Sequence, residues 1–338
     1  MKINIKDPPL LKFPLKVKLS TKTGSIGLFL TIFMRLLLFR RAIKLLNPDV
    51  LIGNGVSGTN PYGLCGAFSG FHPFVVLVWG SDILVEARSS LLLRIITKFV
   101  LIKADVVIVD SEVKRKAAIC LGCSEKKIWK FPWGINLDLF NPNIDGLEIK
   151  KKLEWQDKTV VVSTRNHSQI YGVEYLIKSI PDVIKAVPST RFLILGTGPN
   201  TNNLKKTTKL LGISKYVHFT GEIPNKEISK YLMAADIYVS TSFSDGSSNS
   251  LLEAMACGLP VVVTNIDGNL EWIREGENGF LVPIKNSKVL SEKILTLINN
   301  SKIRELMGNK NVKVAKSKAN WKQNLCVLFN IIEKISKN

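Results

Sequence analysis

The chain has 338 residues, 47 Lys+Arg against 27 Asp+Glu, a formal net charge of +20 and a hydrophobic fraction of 46%. That length suits two domains of ordinary size, and the apolar share excludes a disordered tail protein and a collagen-like chain. The excess of positive charge points to an anionic partner: nucleic acid, a phosphorylated ligand or an acidic lipid surface.

The charge sits at the two ends. Residues 1–46 hold 10 basic and 1 acidic residue, residues 301–338 hold 9 and 2, and the long middle, 47–300, holds 28 and 24. The opening residues carry charges and prolines but no apolar core, so they do not read as a signal peptide. They also lack the strand and Gly-rich turn that open a Rossmann-like domain, which predicts a first domain truncated at its N-terminus. The most apolar run, 26–38, contains Arg35 and is followed by Arg40, Arg41 and Lys44. It falls short of the roughly 20 apolar residues needed to span a bilayer. Two readings stand: a helix lying at a membrane surface, or a helix packed on a sheet with its basic face in water.

From residue 47, β-rich runs alternate with amphipathic segments. Strands are predicted at 49–53, 74–79 and 105–110, with a helix over 89–103. These runs are apolar on both faces, as in a parallel sheet covered by helices. Residues 140–146, rich in Asn, Pro and Gly, read as a linker. Six more strands follow, at 159–164, 191–196, 217–221, 236–242, 260–265 and 279–283. Helices are predicted at 172–187, 203–211, 225–235, 248–257 and 269–275, and two or three more close the chain, the last near 319–335. The pattern is α/β: two Rossmann-like domains facing a cleft, with ligands expected outside the carboxyl ends of the strands.

Cys65, Cys120, Cys123, Cys257 and Cys326 are few and odd in number, which favours a reducing, cytosolic setting. The C-x-x-C at Cys120 and Cys123 has no second pair, and reads as two small apolar residues near a helix end rather than a zinc or redox site.

The richest stretch is 240–265, STSFSDGSSNSLLEAMACGLPVVVTN, which reads strand, loop, helix, strand. Asp245 lies in the loop and Glu253 two helical turns further on. Between them Gly246, Ser247, Ser248 and Asn249 make a small, polar helix start. Its free N–H groups and the positive end of the helix dipole suit a phosphate, while the carboxylates suit sugar hydroxyls, which are donors.

This stretch resembles the E-x7-E region of the family-4 retaining glycosyltransferases, which have the GT-B fold. Other segments match the same family: Arg165 in STRNHSQIYG, the G-x-G-P turn at Gly196, Thr197, Gly198 and Pro199, the motif around Asp267 and Gly268, and Asn278 to Val282. In the first domain Trp79-Gly80-Ser81-Asp82, Asp110-Ser111 and Pro132 to Asn136 are similar to family segments. The resemblance covers about residues 47–335.

It implies an N-terminal acceptor-side domain at 1–140, with a closing helix at about 319–338 packing back on it, and a nucleotide-sugar donor domain at 148–318. Glu253 would hold ribose hydroxyls. Asp245, with the N–H groups at Ser247, Ser248 and Asn249, would contact the donor sugar and its phosphates. Gly196, Gly198 and Gly246 would be donor-binding residues. Arg165 would neutralise the departing diphosphate, and Asp82, following a strand and Gly80, would face the cleft and bind a reacting hydroxyl or the donor sugar. The chemistry agrees, since a cation and a helix N-terminus stabilise a nucleoside diphosphate without a metal. No cofactor or metal is expected; the nucleotide sugar is a substrate.

Two departures from the family pattern stand out. The first carboxylate is Asp245 rather than Glu. The lysine that usually precedes the glycine after the arginine is replaced by Tyr171, and His167 is the nearest substitute donor.

The resulting expectation is a hexosyltransferase of polysaccharide or cell-envelope biosynthesis. It would act on a lipid-linked or glycan acceptor, be peripheral at the inner face of the cell membrane, and have an anionic lipid surface as partner. The alternative is a non-catalytic nucleotide-sugar or polysaccharide-binding protein. Asp82 also reads as a helix cap. Nucleic acid is not expected as a partner, because no helix-turn-helix, zinc-finger or RNP-like signature accompanies the charge. A NAD-dependent dehydrogenase lacks its G-x-G-x-x-G, since Gly198 is followed by Pro199, Asn200 and Thr201.

Overall fold

A computed structural model of the chain describes residues 25–57 and 61–337. The chain divides after Pro48 into two units. In the first, Ser25–Leu46 is a single helix of 22 residues. Leu, Ile, Met, Phe and Arg carry it without an internal proline, so it runs through the basic positions Arg40, Arg41 and Lys44. No helix among the described residues is long and apolar enough to cross a membrane. The basic residues before position 25 lie outside the described residues.

The second unit, Asp49–Asn338, holds two parallel sheets. The first has four strands in sequence order: β1 (Leu51–Asn54), β2 (Phe74–Leu77), β3 (Val106–Val109) and β4 (Ile128–Lys130). The helices Pro61–Ser69, Leu91–Lys103 and Glu112–Cys120 lie along the chain between them. The second sheet has six strands: β5 (Val160–Ser163), β6 (Arg191–Leu195), β7 (Val217–Gly221), β8 (Ile237–Ser240), β9 (Val261–Thr264) and β10 (Gly279–Val282). Their spatial order is β10-β9-β8-β5-β6-β7, all parallel.

Alternating residues of one strand feed opposite faces. Val160 and Val162 pack with Leu251, Leu252 and Met255 on one side. Val161 packs with Leu176, Ile180 and Ile294 on the other. Both faces are covered, so β5, β8 and β9 are buried along their whole length.

The crossing between sheets uses residues 140–146, where the Asn141 and Asp145 side chains accept hydrogen bonds from the N–H groups of Asn143 (3.0 Å) and Leu147 (2.8 Å). The last helix, Trp321–Ser336, lies on the first sheet: Leu328 and Ile331 pack with Val75, Val106, Ile108 and Phe131. At its start Trp321 meets Trp133, which stacks on Trp79 at 5.8 Å between ring centroids.

Several elements depart from expectation. The helices Pro61–Ser69 and Glu112–Cys120 and the edge strand β4 are additional to the predicted set. The helix expected over 269–275 is only Asp267–Leu270; Asn278 folds back, its side chain accepting from the Arg274 N–H and donating to the Trp272 carbonyl. Residues Ser81–Glu86 form a π-helical turn.

Candidate active site

In the six-stranded sheet β5 has β6 on one side and β8 on the other, so the chain winds outward in both directions from this pair. Connections leaving the carboxyl ends of two such strands part company and open a crevice. Arg165 follows β5, and the loop bearing Asp245 and Gly246 follows β8, placing both at this point. The loop feeds the helix Asn249–Ala256, whose start has no side-chain cap. Its first N–H groups are therefore left for another acceptor.

A cavity of about 360 Å3 opens here, lined among others by Arg165, Tyr171, Asp245, Ser247, Asn249 and Glu253. Arg165 is its organising group. The guanidinium donates to Asp245 Oδ2 (2.6 Å), Ser248 Oγ (2.6 Å) and Ser250 Oγ (2.7 Å). It also lies 4.1 Å from the centre of the Tyr171 ring. Ser250 in turn accepts from the buried Tyr238 hydroxyl at 3.0 Å. Arg165 is 8% exposed, and its Nε has no hydrogen-bond partner among the described residues.

Glu253 is 9% exposed, on the buried face of its helix. Burial raises its pKa to about 7, against a smaller opposing pull from Arg165. Its carboxylate is a buried acceptor beside a cavity, the complement of a ligand that brings hydroxyl donors.

The glycines act through space. A Cβ on Gly246 would fall 2.5 Å from Lys114 Cε, and one on Gly268 would fall 2.2 Å from the Gly246 carbonyl oxygen. Gly196 has φ +96° and lies against the Arg165 backbone, while Gly198 lies against His167. These two shape the turn behind Arg165 and are not among the residues that line the cavity.

The structure thus brings Arg165, Asp245, Ser247, Ser248, Asn249 and Glu253 together. Asp82 is not part of that lining. It is 3% exposed, its Oδ2 accepts from the Val56 N–H (3.0 Å) and the Trp79 N–H (3.4 Å), and burial raises its pKa. It ties the loop after β1 to the end of β2. His167 also stays out of the cavity: it is buried, its Nδ1 2.9 Å from Thr201 Oγ1, and burial lowers its pKa. The place of the absent lysine is taken by the Tyr171 ring, which stacks on the arginine instead of adding a charge. Sequence reasoning missed Lys114. It is buried, 2.7 Å from Asp110 and four residues after it on a helix, so the i, i+4 spacing from Asp110 was the available signal.

The described residues contain no group of three or more His, Cys, Asp or Glu placed to hold a metal ion. The cavity's cation is Arg165.

The model of the family "Glycosyl transferases group 1" matches residues 145–314, which hold this entire cavity, and the model "Glycosyl transferase 4-like" matches residues 15–111. The chain belongs to the group 1 glycosyltransferases. Spore coat protein SA of Bacillus subtilis is 29% identical to this chain over 195 residues, 55% of this chain and 52% of that protein. The GDP-mannose-dependent alpha-(1-6)-phosphatidylinositol monomannoside mannosyltransferase of Mycolicibacterium smegmatis is 30% identical over 159 residues, 45% of this chain and 42% of that enzyme. The chain spans about half the length of the curated relatives it matches. Its fold is that of HepE from Anabaena, solved in complex with UDP, with a TM-score of 0.79 and 20% identity over 88% of this chain and 82% of that one. The expected α/β class with two Rossmann-like domains, the GT-B arrangement, is therefore the observed one.

Proposed function

We propose that the protein transfers a sugar, with retention of anomeric configuration, from a nucleoside-diphosphate donor to a hydroxyl of a lipid-linked or polysaccharide acceptor. One observation carries this reading: a buried arginine, an uncapped helix N-terminus and a buried carboxylate converge on a single cavity at the switch point of the sheet. Each matches one part of the donor. Arg165 and the N–H groups of Ser247, Ser248 and Asn249 meet the diphosphate, Glu253 accepts the ribose hydroxyls, and Asp245 accepts from the donor sugar. The UDP held by the Anabaena neighbour supports a donor of this class.

In the transfer the acceptor oxygen bonds to the anomeric carbon as the bond from that carbon to the diphosphate oxygen breaks. The electron pair leaves with the nucleoside diphosphate, and the acceptor proton passes to the departing phosphate oxygen on the same face. Negative charge grows on the diphosphate, where Arg165 and the helix N-terminus stabilise it. In this reading no metal or cofactor takes part. Asp82 shapes the loop over residues 54–57 and acts on the acceptor side only through it.

The basic ends and the apolar, basic helix Ser25–Leu46 support a peripheral position on anionic lipid at the inner face of the membrane. The phosphatidylinositol mannoside substrate of the Mycolicibacterium relative supports a lipid-linked acceptor. Binding to anionic vesicles at low salt tests the membrane position, and failure to bind there refutes it.

The test of function is transfer of labelled sugar from a panel of nucleotide sugars to membrane lipid extract. The expected result is release of nucleoside diphosphate with product of unchanged anomeric configuration, abolished in Glu253→Ala. Donor binding with no turnover against any acceptor would favour the second reading, a non-catalytic nucleotide-sugar or polysaccharide-binding protein.

A further inference from the structure

A larger cavity, about 610 Å3, lies between the start of the helix Leu91–Lys103 and the helix Glu112–Cys120. Its size is that of a small-ligand site. Its apolar wall comes from Ile83, Leu91, Val113 and Ala117, and three cations, Arg88, Arg94 and Lys116, line it as well. None of these cations pairs with a carboxylate among the described residues, and Asp267 is the one acid in the lining.

Two features give the groove a direction. At one end a second cavity, about 250 Å3, shares Arg88, Val113 and Asp267 with it and runs on to Asp245, the carboxylate paired with Arg165 in the donor site. On the helix whose start lines the groove, Leu91, itself in the lining, and its neighbours Leu92 and Ile95 are 74%, 65% and 55% exposed. Apolar surface of this kind, rimmed by positive charge, marks an interaction site for a ligand that is apolar and anionic at once.

We propose that this groove is the acceptor site and holds the phosphorylated end of a single-chain lipid phosphate. The chain lies along Leu91, Leu92 and Ile95. The phosphate sits among Arg88, Arg94 and Lys116. The group to be glycosylated extends through the smaller cavity toward Asp245. The proposal rests on the donor reading above, because Asp245 is where the two sites meet. Three cations and an apolar floor discriminate a lipid phosphate from a neutral glycan, which offers neither charge nor hydrocarbon.

Cys120 lines the groove and is an exposed free thiol, while Cys326, also exposed and free, lies on the closing helix outside it. Iodoacetamide labelling of the full chain, followed at each cysteine by peptide mass spectrometry, therefore reports occupancy with a built-in control. Farnesyl phosphate is the probe, with farnesol and inorganic phosphate as comparisons. Farnesyl phosphate is expected to slow labelling of Cys120 and leave Cys326 unchanged, with farnesol and inorganic phosphate each protecting only at much higher concentration. In Arg94→Gln/Lys116→Gln the loss of two charge-assisted contacts should weaken protection by farnesyl phosphate about tenfold or more. Both residues are surface-accessible, and an unchanged melting temperature checks the fold.

The proposal is overturned if farnesyl phosphate leaves Cys120 labelling unchanged, if farnesol protects as well as farnesyl phosphate, or if the double variant keeps the full advantage of the phosphate. Stabilisation by nucleoside diphosphates is read on the same samples. Its absence counts against the donor site alone and leaves the Cys120 result to decide the groove.

Discussion

Glu253 shows what burial does to a single side chain. A carboxyl in this position holds its proton up to about pH 7, well above the ordinary 4.5. The folded chain therefore binds that proton more tightly than the unfolded chain. The stability this contributes is present in full below about pH 4.5 and is lost as pH rises to about 7. Glu253→Gln cannot ionise, so it should melt a few degrees above wild type at pH 8 and alongside it at pH 4, as scanning calorimetry would show. Ribose hydroxyls donate to the ionised form, so nucleoside-diphosphate affinity should rise with pH up to about 7 and level off above, and this slope should vanish in the glutamine variant.

Arg165 gives a second prediction at this scale. Its fork reaches Asp245, Ser248 and Ser250 at once and its plane lies on Tyr171. A lysine keeps the charge but loses the fork and the stacking. Arg165→Lys should therefore lower kcat/KM by about a hundredfold, on the scale of losing one preorganised transition-state donor. An unchanged kcat/KM would show that charge alone suffices. Asp245 and Glu253 were legible as a pair in the sequence because one long motif carries them, and Arg165 was legible from a separate stretch, STRNHSQIYG. The partner of Arg165 was not legible, because Tyr171 reads only as a missing lysine until the ring is seen over the guanidinium.

Among the elements, the loop bearing Asp245 and Gly246 is held between a glycine below and a lysine beside it. Gly268 leaves no room for a Cβ under the Gly246 carbonyl, so Gly268→Ala must displace the loop that bears Asp245. We expect kcat/KM to fall tenfold or more, on the order of the loss from a small misplacement of catalytic groups, with the far-ultraviolet circular dichroism unchanged. The helix Glu112–Cys120 starts without a side-chain cap of its own; its Glu112 N–H donates at 2.5 Å to Glu271, which follows the Asp267–Leu270 helix between β9 and β10. Losing such a cap costs about 1 kcal/mol. Glu271→Ala should lower the melting temperature by a few degrees, and a larger effect on catalysis than on stability would mark the cap as part of the alignment of the two sheets.

The six strands from 159 to 283 were legible to within one or two residues, because runs such as Val160 to Val162 and Val261 to Val263 are apolar throughout and short. β4 was not, since only three residues pair at the sheet edge and two of them are exposed. Pro61–Ser69 was missed because its two glycines and opening proline read as a turn.

Across the whole molecule, the net charge of +20 sits at the chain ends, while the proposed donor site relies on one arginine and a helix N-terminus. The closing helix covers the first sheet after the chain has completed the second. Leu328→Ala removes a buried contact there and should cost about 2–5 kcal/mol, measured as a fall in the denaturation midpoint. The switch point at β5 and β8 follows from the strand order, which no local pattern encodes; the sequence marked the candidate residues, and the topology shows why they meet. The central claim is that the cavity above β5 and β8 binds the nucleoside diphosphate of an activated sugar. Isothermal titration with a panel of nucleoside diphosphates tests it most directly. The account predicts that at least one binds wild type and that Glu253→Ala binds it about tenfold more weakly or worse; binding by none of them, or equal binding by the variant, would contradict it.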